Sequence, residues 1–307
     1  MDDIKLFGAI EAGGTKFVCA VADASGHLMD TMVIPTTTPV ETFSAAQQFF
    51  TEKACGGAVL STGISGLGIA TFGPVEIDPS APNYGSIQKT PKLGWTGANF
   101  INAFSSLNAP IVVDTDVNGA CLGELNQGAG RGCKTLAYVT VGTGIGVGII
   151  NNGVSLSGMG HYELGHIKPP RDINRDPFKG RCPFHGDCLE GLACGPAIFD
   201  RWGASLSELP SDHDAFDLEA EYLSHLALTV IMSHMPERII FGGGVMKTSG
   251  LYELLRTKTK SLLGGYIGAP ALAGDLADYI VPPVLGDHAG ITGAVTLAQR
   301  TSRTLGI

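Results

Sequence analysis

The pattern that most constrains this chain occurs twice. Residues 6–10 (LFGAI) form an apolar run, Glu11-Ala12-Gly13-Gly14-Thr15 turns, and residues 16–21 (KFVCAV) return as a second run. Ala24-Ser25-Gly26 turns again, and residues 27–34 make a third pass. Near mid-chain the same order recurs: residues 136–141, then Gly142-Thr143-Gly144, residues 145–150, Asn151-Asn152-Gly153 and a short run at Val154. Apolar runs of this length, punctuated by Gly and Asn, read as strands joined by tight turns. Two ordinary hairpins could coincide in this way. The alternative is a duplicated unit whose copies are antiparallel meanders, each bearing one glycine-rich loop.

Between and after the copies, residues 40–54 read as an amphipathic helix, and residues 64–70 and 111–113 as buried strands. The second of these ends at Asp114-Thr115-Asp116, ahead of a helix over residues 118–126. Residues 217–235 form a long helix stopped by Pro236. Residues 238–241 are a strand entering Gly242-Gly243-Gly244, and residues 291–300 a closing helix. Residues 155–195 lack periodicity and are rich in His, Cys, Pro and Gly. A long irregular stretch inside a compact chain is usually functional or tied by a metal.

Charge narrows the function classes. The net charge is −9 and no basic run occurs, which argues against nucleic-acid and anionic-membrane binding. The N-terminus reads MDDIKLFG, so neither a signal peptide nor a membrane span is expected and a cytoplasmic location is. The odd cysteine count of 7 fits a reducing compartment, with Cys19, Cys55, Cys121, Cys133 and Cys194 as free thiols.

Two glycine turns that each carry a Thr suit anion binding, because bare backbone N–H groups can point at a phosphate and the hydroxyl adds a donor. Neither is a Walker loop, and Gly142 to Gly148 does not satisfy the dinucleotide fingerprint. Asp116, at a strand end where a helix begins, is a candidate general base toward a substrate hydroxyl; helix capping explains an Asp there equally well. Cys182-Pro183-Phe184-His185-Gly186-Asp187-Cys188 gives C-x2-H-x2-C, with His166 sixteen residues upstream of Cys182. Two thiolates and two imidazoles suffice for a closed, structural Zn²⁺ site; free cysteines and surface histidines are the plainer reading, and His161 competes as the fourth ligand. Glu163 and Glu190 flank this cluster and could accept hydrogen bonds from sugar hydroxyls, although such carboxylates are commonly just solvated.

Together these residues resemble the ROK sugar kinases, and among them the fructokinase branch, over nearly the whole chain. Glu11-Ala12-Gly13-Gly14-Thr15-Lys16 resembles the first phosphate loop, with Glu11 where the family usually has Asp. Gly142-Thr143-Gly144 resembles the second phosphate motif, and Gly242-Gly243-Gly244 the glycine segment near adenosine. Asp116 falls at the catalytic base, preceded here by Thr115 where Asn is common. Glu163-Leu164-Gly165-His166 matches E-x-G-H, and Glu190 matches the second sugar-binding Glu. The cluster Cys182, His185 and Cys188, and Thr90-Pro91-Lys92-Leu93-Gly94-Trp95, are similar to the fructokinase branch.

The resemblance implies an α/β, actin-like ATPase fold: a duplicated ribonuclease H-like architecture of two lobes with a cleft. Residues 1–117 plus 290–307 would form the N-terminal lobe and residues 118–289 the C-terminal lobe. It further implies an ATP- and Mg²⁺-dependent phosphotransferase acting on the 6-hydroxyl of fructose, and a homodimer. Glu163, His166 and Glu190 would hold the sugar. Another hexose kinase is the nearest alternative. A sugar-responsive repressor is disfavoured because the first loop begins at residue 11, leaving no room for a helix-turn-helix ahead of it. A nucleic-acid-binding finger is disfavoured by the acidic balance.

Overall fold

The computed structural model describes residues 5–55 and 63–304, with side chains described except at 54–55 and 302–304; Cys55 therefore lies outside the described side chains. The strands are β1 (Phe7–Ala12), β2 (Lys16–Ala22), β3 (Leu28–Pro35), β4 (Leu67–Thr71), β5 (Ile111–Thr115), β6 (Thr135–Val141), β7 (Ile145–Asn151), β8 (Val154–Ser155), β9 (Arg238–Gly242) and β10 (Ile280–Val281). The helices are α1 (Pro39–Cys55), α2 (Phe100–Phe104), α3 (Asp116–Gln127), α4 (Leu189–Ala193), α5 (Gly195–Trp202), α6 (Asp214–His234), α7 (Leu251–Leu263) and α8 (Ala289–Thr304).

Two sheets share one topology. The first has the order β3-β2-β1-β4-β5 and the second β10-β9-β6-β7-β8. In each, the leading strand pairs antiparallel with the next and parallel with a later one: β1 with β2 and β4, β6 with β7 and β9. The repeated sequence pattern is thus a repeated fold, each glycine turn joining the two strands of the leading hairpin. The chain divides into one compact unit of residues 1–126, 157–161 and 287–307, and another of 127–156 and 162–286.

In the first unit, one face of the sheet is covered by an aromatic core. Trp95 is fully buried, its ring 5.6 Å from Phe17, 5.4 Å from Phe43 and 5.3 Å from Phe72, and its Nε1–H donates to the Thr37 carbonyl at 2.9 Å. A ring of that size buried with its one donor satisfied fixes the surrounding loop. The other face carries α8, where Ile291, Ala294 and Val295 meet Ala9, Ala20 and Ala70. Small residues let helices approach closely: a Cβ at Gly293 would lie 1.7 Å from the Gly119 carbonyl oxygen of α3.

The second unit buries the apolar face of α6, including Leu223, Leu226, Val230 and Ile231, with strand residues Val139, Val147, Ile239 and Phe241. This helix begins three residues before the sequence expectation, because His213 Nδ1 accepts the Ala215 N–H at 3.1 Å and caps it. It ends as Met235 adopts φ 46 ahead of Pro236. Helix α4 falls at the end of the stretch read as irregular and α5 begins where it stops. Helix α2 and strand β10 are too short for a periodic signal, whereas α7 has Leu251, Leu255 and Leu263 at helical spacing on its buried face and is an element the sequence reading does not include. Among the described residues, no helix is long and apolar enough to cross a membrane.

Candidate active site

The first glycine turn is held open by its own carbonyls. The Gly13 N–H donates to Lys16 O at 2.9 Å, while the Gly13 and Thr15 carbonyls accept from the Thr36 hydroxyl at 2.8 Å and the Thr36 N–H at 2.9 Å. The Gly14 carbonyl accepts from Lys92 Nζ at 2.5 Å. With every carbonyl tied back, the N–H groups of Gly14 and Thr15 have no acceptor among the described residues. Adjacent unpaired amides of this kind form an anion cradle. Lys92 reaches the turn from the segment anchored by buried Trp95.

Beside it, β5 delivers Asp114, Thr115 and Asp116. Asp114 is buried and accepts from the Thr115 N–H and from Asn118 Nδ2, both at 2.7 Å. Thr115 Oγ1 accepts the Asn118 N–H at 3.2 Å, so the hydroxyl of Thr115 caps α3 and starts the helix at Asp116 rather than at residue 118. Asp116, half-buried, takes the Val117 N–H at 2.9 Å. Thr115 thus holds the N-cap position, and Asp116 in the first turn takes one further N–H of the helix start.

Glu11, on β1, is largely enclosed, and its Oε2 has no hydrogen-bond partner. Burial first, and the Asp116 charge second, raise its carboxyl to about 7; Lys16 and the Ile291 N–H work against that, and Asp287 adds to it. A buried oxygen left without a donor, close to two further carboxylates, suits a hard divalent cation such as Mg²⁺.

In the second unit, the Gly142 N–H donates to Gly144 O at 2.9 Å and the Gly142 carbonyl accepts the Gly195 N–H of α5 at 2.8 Å. The Ile145 N–H donates to Glu190 Oε2 at 3.0 Å. Thr143 and Gly144 keep N–H groups without acceptors among the described residues, as in the first turn. The glycine segment 242–244 lies against this turn: Gly243 adopts φ 91, and a Cβ there would meet the Val141 carbonyl oxygen at 2.3 Å.

The Cys/His cluster closes on itself. One donor atom from each of His166, Cys182, His185 and Cys188 lies within 4.8 Å of the others. His166 Nδ1 is 3.3 Å from Cys188 Sγ and 3.8 Å from Cys182 Sγ, and His185 Nδ1 is 3.6 Å from Cys182 Sγ. A tetrahedral Zn²⁺ with ordinary Zn–S and Zn–N bonds sets neighbouring N and S ligands about 3.6 Å apart, so the four fit a structural zinc. His161 stands outside the set, its Nε2 accepting the Val75 N–H at 3.2 Å. The other nitrogen of His166 faces carboxylates: Nε2 is 3.9 Å from Glu163 Oε2 and 4.0 Å from Glu190 Oε1. All three candidate sugar residues therefore meet at one imidazole.

A family model described as the ROK family matches residues 7–301. The chain belongs to the ROK family. A fructokinase of Zymomonas mobilis is 41% identical over 300 residues, spanning 97% of each chain. A fructokinase of Pediococcus pentosaceus is 40% identical over 295 residues, covering 96% of this chain and 98% of that one. Among solved structures, a ROK glucokinase from Streptomyces griseus in complex with glucose and AMPPNP superposes with a TM-score of 0.68 at 23% identity, covering 97% of this chain and 99% of that one. The duplicated sheets accordingly belong to the actin-like ATPase fold of the ROK kinases.

Several contributors to this ROK site escape a reading of motifs. Gly165 is fixed by contact: a Cβ there would lie 1.9 Å from the Ile145 carbonyl oxygen, which explains the glycine in E-x-G-H. Asp176 is buried and gathers Arg201 Nε at 3.1 Å, Arg201 Nη2 at 3.2 Å and the Tyr222 hydroxyl at 2.5 Å, tying the irregular segment to α5 and α6. An isolated Asp in a coil carries no sequence signal for this. Lys92 sat inside a recognised segment, and only the folded loop reveals which carbonyl it holds.

Proposed function

We propose that this chain is an ATP-dependent fructokinase, transferring the γ-phosphoryl group of ATP to the 6-hydroxyl of D-fructose. The observation that carries the substrate is the pair of fructokinases near 40% identity across nearly their full length. The chemistry rests on two glycine turns with unpaired amides and on the half-buried carboxylate of Asp116 at the start of α3.

Asp116 orients the 6-hydroxyl and accepts its proton as the bond to phosphorus forms. The amides of Gly14, Thr15, Thr143 and Gly144 and the Thr15 and Thr143 hydroxyls hold phosphate oxygens, and the glycine segment 242–244 lies near adenosine. Mg²⁺, when bound, would neutralise charge on the phosphates, and Glu11 would help to hold it. Glu163, Glu190 and His166 Nε2 bind the sugar hydroxyls. Phosphoryl transfer depends mainly on position and charge, so few reactive side chains are needed.

Structural Zn²⁺ on His166 Nδ1, Cys182, His185 and Cys188 would leave Nε2 of His166 as an N–H donor, fixing its tautomer toward the sugar. A homodimer is part of the same reading, and light scattering of the purified protein tests it.

The discriminating experiment is a coupled assay with ATP across fructose, glucose, mannose and their N-acetylated forms. Fructose should give the highest kcat/KM. Preference for glucose, the ligand of the Streptomyces griseus structure, would move the assignment to another ROK hexose kinase.

A further inference from the structure

The sugar segment and the second phosphate turn share one residue, Ile145. Its N–H donates to Glu190 Oε2 at 3.0 Å, and its carbonyl is packed against Gly165 so closely that a Cβ at Gly165 would stand 1.9 Å away. A third tie comes from the Gly195 N–H to the Gly142 carbonyl at 2.8 Å. Glu190 also covers the turn itself, since a Cβ at Gly144 would lie 2.6 Å from Oε2. The other oxygen of the same carboxylate, Oε1, faces His166 Nε2 at 4.0 Å.

We propose that Glu190 is a positioning residue of the second phosphate turn, through which an occupied sugar site strengthens the grip on ATP. The inference rests on the fructokinase reading and adds a coupling to it. The Ile145 amide is the donor that the structure gives Glu190 Oε2, and the same carboxylate lies beside the amides meant for phosphate. A sugar hydroxyl that donates to Oε1 pins the carboxylate. The fixed Oε2 then holds Ile145, and Ile145 holds the Thr143 and Gly144 N–H groups in the direction phosphate needs. By linkage, the nucleotide must strengthen sugar binding by the same factor.

The test is calorimetric binding of AMPPNP with Mg²⁺, with and without saturating fructose, which needs no turnover. In the wild type, fructose should tighten AMPPNP on the order of 10-fold. Glu190→Ala, titrated at fructose concentrations that saturate the variant, should reduce that factor to about one. Glu190→Gln keeps the side chain's length and an oxygen able to accept the Ile145 N–H, and should retain more of the factor than Glu190→Ala does, the rescue a positioning role requires. A merely structural Glu190 would weaken both ligands yet leave their ratio unchanged, and that result overturns the proposal. So does a wild-type factor of one. Fructose and AMPPNP binding independently would refute the coupling alone; no fructose binding at all would remove the fructokinase reading with it.

Discussion

A Cβ at Gly290 would stand 2.5 Å from Cδ of Glu11. A side chain at Gly290, in the first turn of α8, would therefore have to displace the enclosed carboxyl of Glu11. Gly290→Ala should destabilise the protein by about 1–3 kcal/mol through overpacking, despite the helix propensity gained. Shortening the acid should relieve it: Glu11→Asp combined with Gly290→Ala should be more stable than Gly290→Ala alone. Urea titrations of the three proteins check this, and strictly additive effects would refute the steric link.

The raised carboxyl of Glu11 gives a signed pH dependence. Its ordinary value is 4.5 and its folded value about 7, so between these pH values the folded state holds a proton that the unfolded state has released. Stability of metal-free protein should then fall as pH rises from about 4.5 to 7 and level off above, by roughly 1–3 kcal/mol for this group. Glu11→Gln should flatten that portion of the curve. Parallel pH curves for the two proteins would reject the assignment.

Asp116→Asn should lower turnover by roughly 10²–10⁴-fold, the usual share of a general base. Fructose binding, measured calorimetrically, should largely survive, since the sugar contacts assigned to Glu163, Glu190 and His166 are intact. Undiminished kcat would remove Asp116 from the mechanism.

Elemental analysis of the purified protein should find about one zinc per chain. Cys182→Ser should lose it, and hydrogen exchange should then accelerate across residues 155–195. Besides the metal ligands, that segment is held by the buried Asp176 cluster, the Ile167–Leu189 backbone bond of 2.8 Å and the buried residues of α4, so the acceleration should be greatest around the four ligands. Metal-free wild-type protein with unchanged exchange would contradict a structural metal.

Lys92→Met removes the ammonium that holds the Gly14 carbonyl. Losing one charge-assisted bond of about 1–2 kcal/mol should raise the KM for ATP by roughly 5–20-fold while leaving the KM for fructose near its original value. Equal rises in both would mean that the whole loop, rather than the phosphate turn, had been disturbed.

Sequence alone determined the features that live in local pattern. The duplicated strand order, the two glycine turns and the C-x2-H-x2-C spacing are all periodicities or short motifs, and each survives as a strand, a turn or a cluster in the folded chain. Pairing across distance was beyond it. Whether His161 or His166 joined the cysteines depended on where residues 155–195 fold. That Thr115 rather than Asp116 caps α3 depended on side-chain rotamers at a strand end. The enclosure of Glu11 by Gly290, and the meeting of Glu190, Gly165 and Gly195 at the turn of residues 142–145, join residues tens to hundreds of positions apart. Tertiary structure decided these because burial, carboxyl ionisation and the direction of an N–H are properties of surroundings, and the chain acquires its surroundings only when it packs.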